Sequence, residues 1–442
     1  MLVVSKLMKS SHVYNEDILR FVNRLSKYTE NNINIYPDSH QKNWGFPSGI
    51  SLKSSKNGYI FPGAVPDLGC GFRVVKTNIY RKEVNKDKSY ELLEALELQT
   101  GYMSRIRKEK VATLDIEKIL TEGPRYIIND CKIGTLDDLL YARELHSNIN
   151  AHLEVSDEDK ESLLEYFGIC AGHFLEVRYV DEIIDRKTAS KLNLEEGQLI
   201  IIIHSGITHG KKIMFENYFN YAIDEAVNNP EFELDDIYEG IFGMKINSDN
   251  GYKFLQASSA LKNYGYASRL YAQYSIQDVF SAILDKSISL DVISDICHSK
   301  IQPFGDEGVL HARGLQSLFP KGHNKVMKRY REIGDIGLLA GEKGTHSTLI
   351  KANKNIELYD YQCSHGTGKY INRNENENIK FDNDAFCFDT DYTLSNYKDD
   401  VFNTEKTYDI VINELNLVSP IIKLAPYINF WGEKEEYAQG GE

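Results

Sequence analysis

Asp67 and Cys70 stand three residues apart in the segment PDLGCGFR, flanked by Gly69 and Gly71. Glycine lets the backbone bend far enough for a hard carboxylate oxygen and a soft thiolate to face one ion. Taken alone, a cysteine in a glycine turn is as readily a small buried hydrophobe. Three histidines offer further donors. His173 opens the strand-like AGHFLEV, His204 closes the apolar run of IIIHSGITHG, and His298 follows a helix in DICHSK, beside Cys297. Singly, each reads as a satisfied structural histidine. Together the five form a mixed O, S, N set for two divalent ions, with Cys70 or Asp67 placed to bridge them. These borderline ligands suit Mn, Zn, Co or Ni better than Mg. Paired ions suit phosphoryl chemistry, because one activates an incoming oxygen while the other steadies the phosphate.

A sixth segment, SHGTGKYINR, places His365 before Gly366, Thr367, Gly368 and Lys369. An imidazole in such a loop can act as nucleophile, with backbone N–H groups and Lys369 holding phosphate oxygens. The bland alternative is a plain glycine turn. GEKGTHSTLI at 341–350 is a second glycine loop before a strand, placed to line the same pocket.

The elements around these residues alternate. GYIFPGAV and GFRVVKTNIY read as short strands punctuated by Gly and Pro. From about 82 to 166 the pattern is helical, and Ser156 before three acids is an N-cap candidate. FLEVRYV (174–180) and QLIIII (198–203) predict strands, the second apolar enough to be buried on both faces. Helices return from about 217 to 290, and short strands resume near Val309. The order predicts an α+β fold spanning 1–442 as one unit. Residues 372–380 and the tail EKEEYAQGGE read as solvated segments. No repeat of solenoid period is present.

Across 442 residues, 42% hydrophobic and 26% charged composition marks a globular chain with a sizeable core. No apolar run approaches the roughly 18 residues of a membrane span, so no membrane partner and a cytoplasmic address are expected. The six cysteines are scattered, which points to thiols or a metal ligand rather than a disulfide scaffold. A net charge of −14 argues against a general nucleic-acid coat and confines any phosphate contact to a local site. A basic strip of Arg313, Lys321, Lys325 and Lys369 is the candidate.

From about Tyr36 to Gly432 these segments, in this order, resemble the RtcB RNA ligases. The matching pieces are YPDSH at 36–40, DLGCG, GHFLE, His204 with Ser and Gly, His298–Ser299, His311–Gly314 and His365–Lys369. The resemblance implies ligation of RNA ends bearing a 3′-phosphate or 2′,3′-cyclic phosphate to 5′-hydroxyl ends, using GTP and two Mn²⁺ ions. It implies guanylate carried on His365, and Asp67, Cys70, His173, His204 and His298 as metal ligands. Glu176, Ser347 and Tyr397 would face the guanine, with Ser299, Gly366, Thr367 and Gly368 around the nucleotide. The chain departs from the family pattern at Gly172, Ser299, Glu342 and Trp431, where the family has Asn, Asn, Ser and Lys. These changes cluster on the nucleotide side. They keep two other functions open: a metal-dependent phosphoesterase or cyclic phosphodiesterase, and a silent RNA-end binding protein.

Overall fold

The computed structural model describes residues 16–30, 33–42, 45–65, 67–142, 150–169, 174–206, 210–303, 308–368, 387–388 and 394–430. For 210–216, 387–388 and 394–397 it describes the backbone alone. His173, Gly172, Lys369, Trp431, the 372–380 segment, the tail and the Tyr397 side chain lie outside that description.

The chain opens with α1 (Glu16–Leu25), β1 (Ile33–His40), β2 (Ser48–Ser54), β3 (Tyr59–Ile60) and β4 (Gly71–Tyr80). A helical stretch follows as α2 (Lys86–Thr100), α3 (Arg105–Val111), α4 (Ile116–Glu122), α5 (Pro124–Asn129) and α6 (Asp157–Glu165). Next come β5 (Phe174–Ile183), α7 (Arg186–Leu192), β6 (Gln198–Ser205), α8 (Gly210–Val227), α9 (Leu234–Tyr238), β7 (Met244–Lys245) and α10 (Asp249–Leu284). The remainder is mostly strand: β8 (Leu290–Cys297), β9 (Ser299–Pro303), β10 (Val309–Arg313), β11 (Leu315–Ser317), β12 (Ile336–Leu339), β13 (Ser347–Ala352), β14 (Gln362–Ser364), β15 (Cys387–Phe388), α11 (Leu394–Tyr408) and β16 (Val418–Phe430). Both helical stretches and both predicted strands around the histidines are present, and the architecture is α+β.

The main sheet runs β12-β13-β16-β5-β6-β4-β8, with β15 joined to β16. A second sheet runs β1-β2-β10-β9, and two ribbons pair β11 with β14 and β3 with β7. Every described pairing is antiparallel except β15 with β16. β6 lies inside the sheet because Leu199 to Ile203 are apolar on both faces and wholly buried. Each such side chain contributes about 1.5–3 kcal/mol of burial. The covering layer includes Leu92, Leu93 and Leu96 of α2 and Ala272, Ile276, Val279 and Phe280 of α10.

α10 is one unbroken helix of 36 residues, about 54 Å long. Ser248 caps it by accepting from Gly251 N–H at 3.0 Å. Its middle, from Ala260 to Gln273, is buried throughout and runs beneath the ends of β4, β6 and β8. Ser156 caps α6 as its position predicts, accepting from Asp159 N–H at 3.2 Å.

His298 corrects one expectation, because it follows a strand and not a helix. α10 stops at Leu284, and the β-branched run LDVISDIC then extends into β8. His298 is the corner where the chain leaves the main sheet for β9 in the second. No helix among the described residues is long and apolar enough to cross a membrane.

Candidate active site

Antiparallel register gathers the candidate ligands. Gly71 pairs with both Cys297 and Ser205, while Phe72 pairs with His204, which pairs in turn with Phe174. Cys70 before β4, His204 at the end of β6 and His298 after β8 therefore emerge at one end of the sheet.

Their donor atoms converge. His204 Nε2 lies 3.2 Å from Cys70 Sγ and 3.0 Å from His298 Nε2. All three atoms fall within 4.8 Å of one another. Cys70 and His298 are buried and His204 is partly exposed, so a thiol and two imidazoles face each other at the edge of solvent. A thiolate and two neutral imidazoles are a donor set for a borderline divalent ion, and the three residues fit a metal.

Ser299 fixes one of these rings. Its hydroxyl donates to Asp67 Oδ2 at 2.9 Å, since an ionised carboxylate only accepts. The same oxygen lies 3.3 Å from His298 Nδ1 and accepts from it. That tautomer leaves the lone pair on Nε2, the atom turned toward Cys70 and His204. In this structure Ser299 links Asp67 to His298, a candidate ligand. Asp67 itself stands one turn from Cys70, with Cys70 N–H bonded to its carbonyl at 3.0 Å. Its other carboxylate oxygen is 3.5 Å from Arg313 Nε.

Arg269 on α10 ties together the two loops that carry the candidate ligands Cys70 and His204. Its Nη1 donates to the Gly69 carbonyl at 2.9 Å and the Ser205 carbonyl at 3.0 Å. Its Nε binds Asp295 Oδ1 at 2.8 Å, and Asp295 also takes Arg73 Nη1 at 2.7 Å. Burial pulls the Arg269 pKa down, but Asp295 and the Tyr266 ring beneath it more than offset that, so the net shift is upward. Close packing demands glycine here. A Cβ on Gly265 would meet the Gly69 carbonyl oxygen at 2.3 Å, and one on Gly206 would meet Cys70 Cα at 2.5 Å.

His365 sits against this cluster. Its ring centroid is 4.2 Å from that of His298, and Phe72 stacks on it at 5.7 Å. Phe72 also lies 4.6 Å from His204, so one phenyl ring is the common wall for three imidazoles. Nδ1 of His365 is 2.6 Å from the Gly314 carbonyl and 3.3 Å from Asp38 Oδ2. A carbonyl oxygen can only accept, so Nδ1 carries the proton and Nε2 keeps its lone pair. The side chain is 18% exposed, which leaves an approach for a phosphate.

These matched segments in this spatial order accompany a whole-chain similarity. The family model described as tRNA-splicing ligase RtcB matches residues 20–430. The chain belongs to the RtcB family. Relatives named tRNA-splicing ligase RtcB include that of Aeropyrum pernix, 27% identical, with 78% of this chain aligned to 74% of the relative. That of Thermococcus kodakarensis is 26% identical over 77% of this chain and 73% of its own length. That of Methanococcus maripaludis is 28% identical over 76% and 72%.

Within this RtcB-family chain, the residues expected around a nucleotide are spread over neighbouring elements. Glu176 on β5 is buried, with Arg178 Nε donating to Oε2 at 2.6 Å and Asn429 Nδ2 to Oε1 at 2.9 Å. Ser347 starts β13 and accepts from Gly341 N–H at 2.9 Å, closing the 341–346 loop. Thr367 donates its hydroxyl to Glu342 Oε1, and Gly368 N–H donates to Thr407 Oγ1 at 3.3 Å. Glu342 thus reaches the loop directly after His365.

Arg313 corrects the expected basic strip. It is 7% exposed, donating Nη1 to the Phe46 carbonyl beside Asp67. Lys321 and Lys325 are on the surface. His311 is a structural histidine: its Nε2 accepts from Phe61 N–H at 3.1 Å, and burial pushes its pKa down to about 3. Asp38, Phe72, Arg269 and Asp295 join the site only in the fold. Asp38 lies in the YPDSH segment, which was the available signal. An arginine in the helical run LKNYGYASRLYAQ carries none.

Proposed function

We propose that the chain is a GTP- and Mn²⁺-dependent RNA ligase. It joins RNA 3′-phosphate or 2′,3′-cyclic phosphate ends to 5′-hydroxyl ends, in tRNA splicing or RNA repair. The observation that carries this reading is His365: its Nδ1 donates to the Gly314 carbonyl with the Asp38 carboxylate 3.3 Å away, and its ring abuts that of His298 in the Cys70, His204 and His298 cluster. The relatives' name, tRNA-splicing ligase, supports the reaction class. A cytoplasmic address fits this role.

In this reading His365 Nε2 attacks the α-phosphorus of GTP. The N–P bond forms as the bond to pyrophosphate breaks, and no proton need leave Nε2. An oxygen of the RNA 3′-phosphate then attacks the guanylate phosphorus, and Nε2 departs as the neutral imidazole. The 5′-hydroxyl closes the phosphodiester with loss of GMP; a cyclic phosphate is first opened by water. Cys70, His204 and His298 would hold the metal, with Asp67 and His173 completing the set for two ions. When bound, the metal supplies positive charge against the phosphate oxygens. Glu176, Ser347 and Tyr397 would receive the guanine, and Gly366 to Gly368 the phosphates.

One observation favours a second reading as a phosphoesterase: the Glu342 carboxylate accepts from Thr367, placing an acid beside the phosphate loop. The test is a labelled RNA ending in a 2′,3′-cyclic phosphate, offered with a 5′-hydroxyl acceptor, GTP and Mn²⁺. A joined product that requires GTP supports ligation. A product limited to the opened or dephosphorylated end supports the phosphoesterase.

A further inference from the structure

His365 follows one end of the β11–β14 ribbon, and an aromatic cluster occupies the other. Leu315 pairs with Ser364 and Ser317 with Gln362, after which Leu318 N–H bonds the Tyr361 carbonyl at 2.9 Å. Beyond that bond Phe319 and His323 stack, with centroids 4.7 Å apart and planes 10° from parallel. Tyr361 leans on both, at 5.1 Å from Phe319 and 4.6 Å from His323. All three rings are partly exposed. The loop keeps its shape through Lys325 N–H, which donates to His323 Nδ1 at 3.1 Å.

Charge is concentrated in the same place. Lys321, Lys325, Lys328, Arg329 and Arg331 are exposed within 319–331, a stretch without a single acid, in a chain of net charge −14. The Lys325 ammonium lies over the Phe319 ring at 5.7 Å, and the next acid, Glu332, is 3.5 Å from Lys321. Tyr361 is four residues from His365, with the three-residue strand β14 between them, about 13 Å at roughly 3.3 Å per residue.

We propose that Phe319, His323 and Tyr361, with Lys321 and Lys325, form a docking surface for single-stranded RNA on the strand that leads to His365. The inference rests on the ligase reading for its substrate. Aromatic faces accept bases of any sequence, and cations beside them neutralise the backbone phosphates. Two features favour RNA over an acidic protein. The rings are gathered into a stacked set, and the ribbon joins that set directly to the reacting histidine. Burial and Lys325 hold the His323 pKa below its usual value, so at neutral pH the ring offers a neutral stacking face. The Arg329 guanidinium is turned aside to the Tyr141 hydroxyl, while Lys321 and Lys325 stand two residues either side of His323.

The test uses the full chain and a fluorescently labelled oligouridylate with a 3′-phosphate, read by anisotropy over a range of salt. His323→Ala should weaken binding by about five- to a hundredfold, the effect of losing one stacked base. Lys321→Ala with Lys325→Ala should reduce the slope of log affinity against log salt by about 1.4, two phosphate contacts' worth. Guanylate transfer to His365 without RNA should be unchanged in both variants. Unaltered affinity in both, with the adduct still formed, overturns the surface and leaves the ligase reading intact. Competition by polyglutamate as strong as by unlabelled RNA assigns the patch to an acidic protein and likewise overturns it. A wild-type chain that forms no adduct yet binds RNA through His323 would uphold the surface and sink the ligase reading.

Discussion

Asp38 Oδ2 lies 3.3 Å from His365 Nδ1, a wholly buried carboxylate behind a partly exposed imidazole. Ser364 holds the carboxylate in place by donating to Oδ1 at 2.7 Å. The Gly314 carbonyl at 2.6 Å sets which nitrogen faces outward, and the carboxylate behind the ring would steady positive charge on it in the proposed guanylate transfer.

Asp38→Asn should therefore slow adduct formation at His365 by about 10- to 100-fold, the range for losing a partner that orients a functional histidine. Metal content should stay the same, because Asp38 touches none of the three clustered donors. A rate equal to wild type, measured by rapid-quench labelling, would show that Gly314 alone orients the ring.

Arg269 should prove necessary for metal retention without touching the metal. Arg269→Met removes the bridge between the Gly69 and Ser205 carbonyls and leaves Asp295 with Arg73 alone. Breaking a buried pair in this way costs about 3–5 kcal/mol, to be read from urea unfolding. Arg269→Lys keeps the charge but cannot reach both carbonyls and Asp295 at once. It should lose metal affinity under conditions where its circular dichroism remains native. Unchanged metal affinity in the lysine variant would reduce Arg269 to a packing role.

His311 predicts an acid-sensitive fold. Its pKa falls from 6.5 to about 3 on burial, so the folded protein keeps it neutral while the unfolded chain protonates below pH 6.5. The unfolded state then binds more protons, and the stability from this group is full above pH 6.5 and lost as pH drops toward 3. The slope is at most about 1.4 kcal/mol per pH unit for one proton. His311→Gln should flatten the dependence by up to one proton between pH 6 and 4. Identical slopes in the two proteins would place the acid sensitivity elsewhere.

Much of the site was legible because its chemistry needs particular atoms at strand ends. Cys70, His204 and His298 stood out by residue type, and the apolar run from Leu199 to Ile203 marked the strand that presents one of them. His298 reads as a helix end because Ser287 to Ser289 breaks the long helical pattern late, and the switch to β-branched alternation spans only LDVISDIC. Arg313 read as a surface cation because charge alone does not reveal that β10 pairs on both sides and buries it beside Asp67. Asp38 and Arg269 act across 327 and roughly 200 positions of sequence, on His365 and on the ligand loops. Such couplings exist only once the sheets are assembled. Ser299 read as a lost amide, whereas in the fold it links Asp67 to His298.

The most direct measurement is guanylate labelling of the purified chain. Incubation with α-labelled GTP and Mn²⁺ should yield a covalent adduct that is labile to acid and stable to alkali, as a phosphoramidate is. Peptide mapping should place it on His365. His365→Ala should abolish both adduct and ligation while metal content stays near that of wild type. An adduct that persists in His365→Ala, or a metal-loaded wild-type protein that never forms one, would contradict the account.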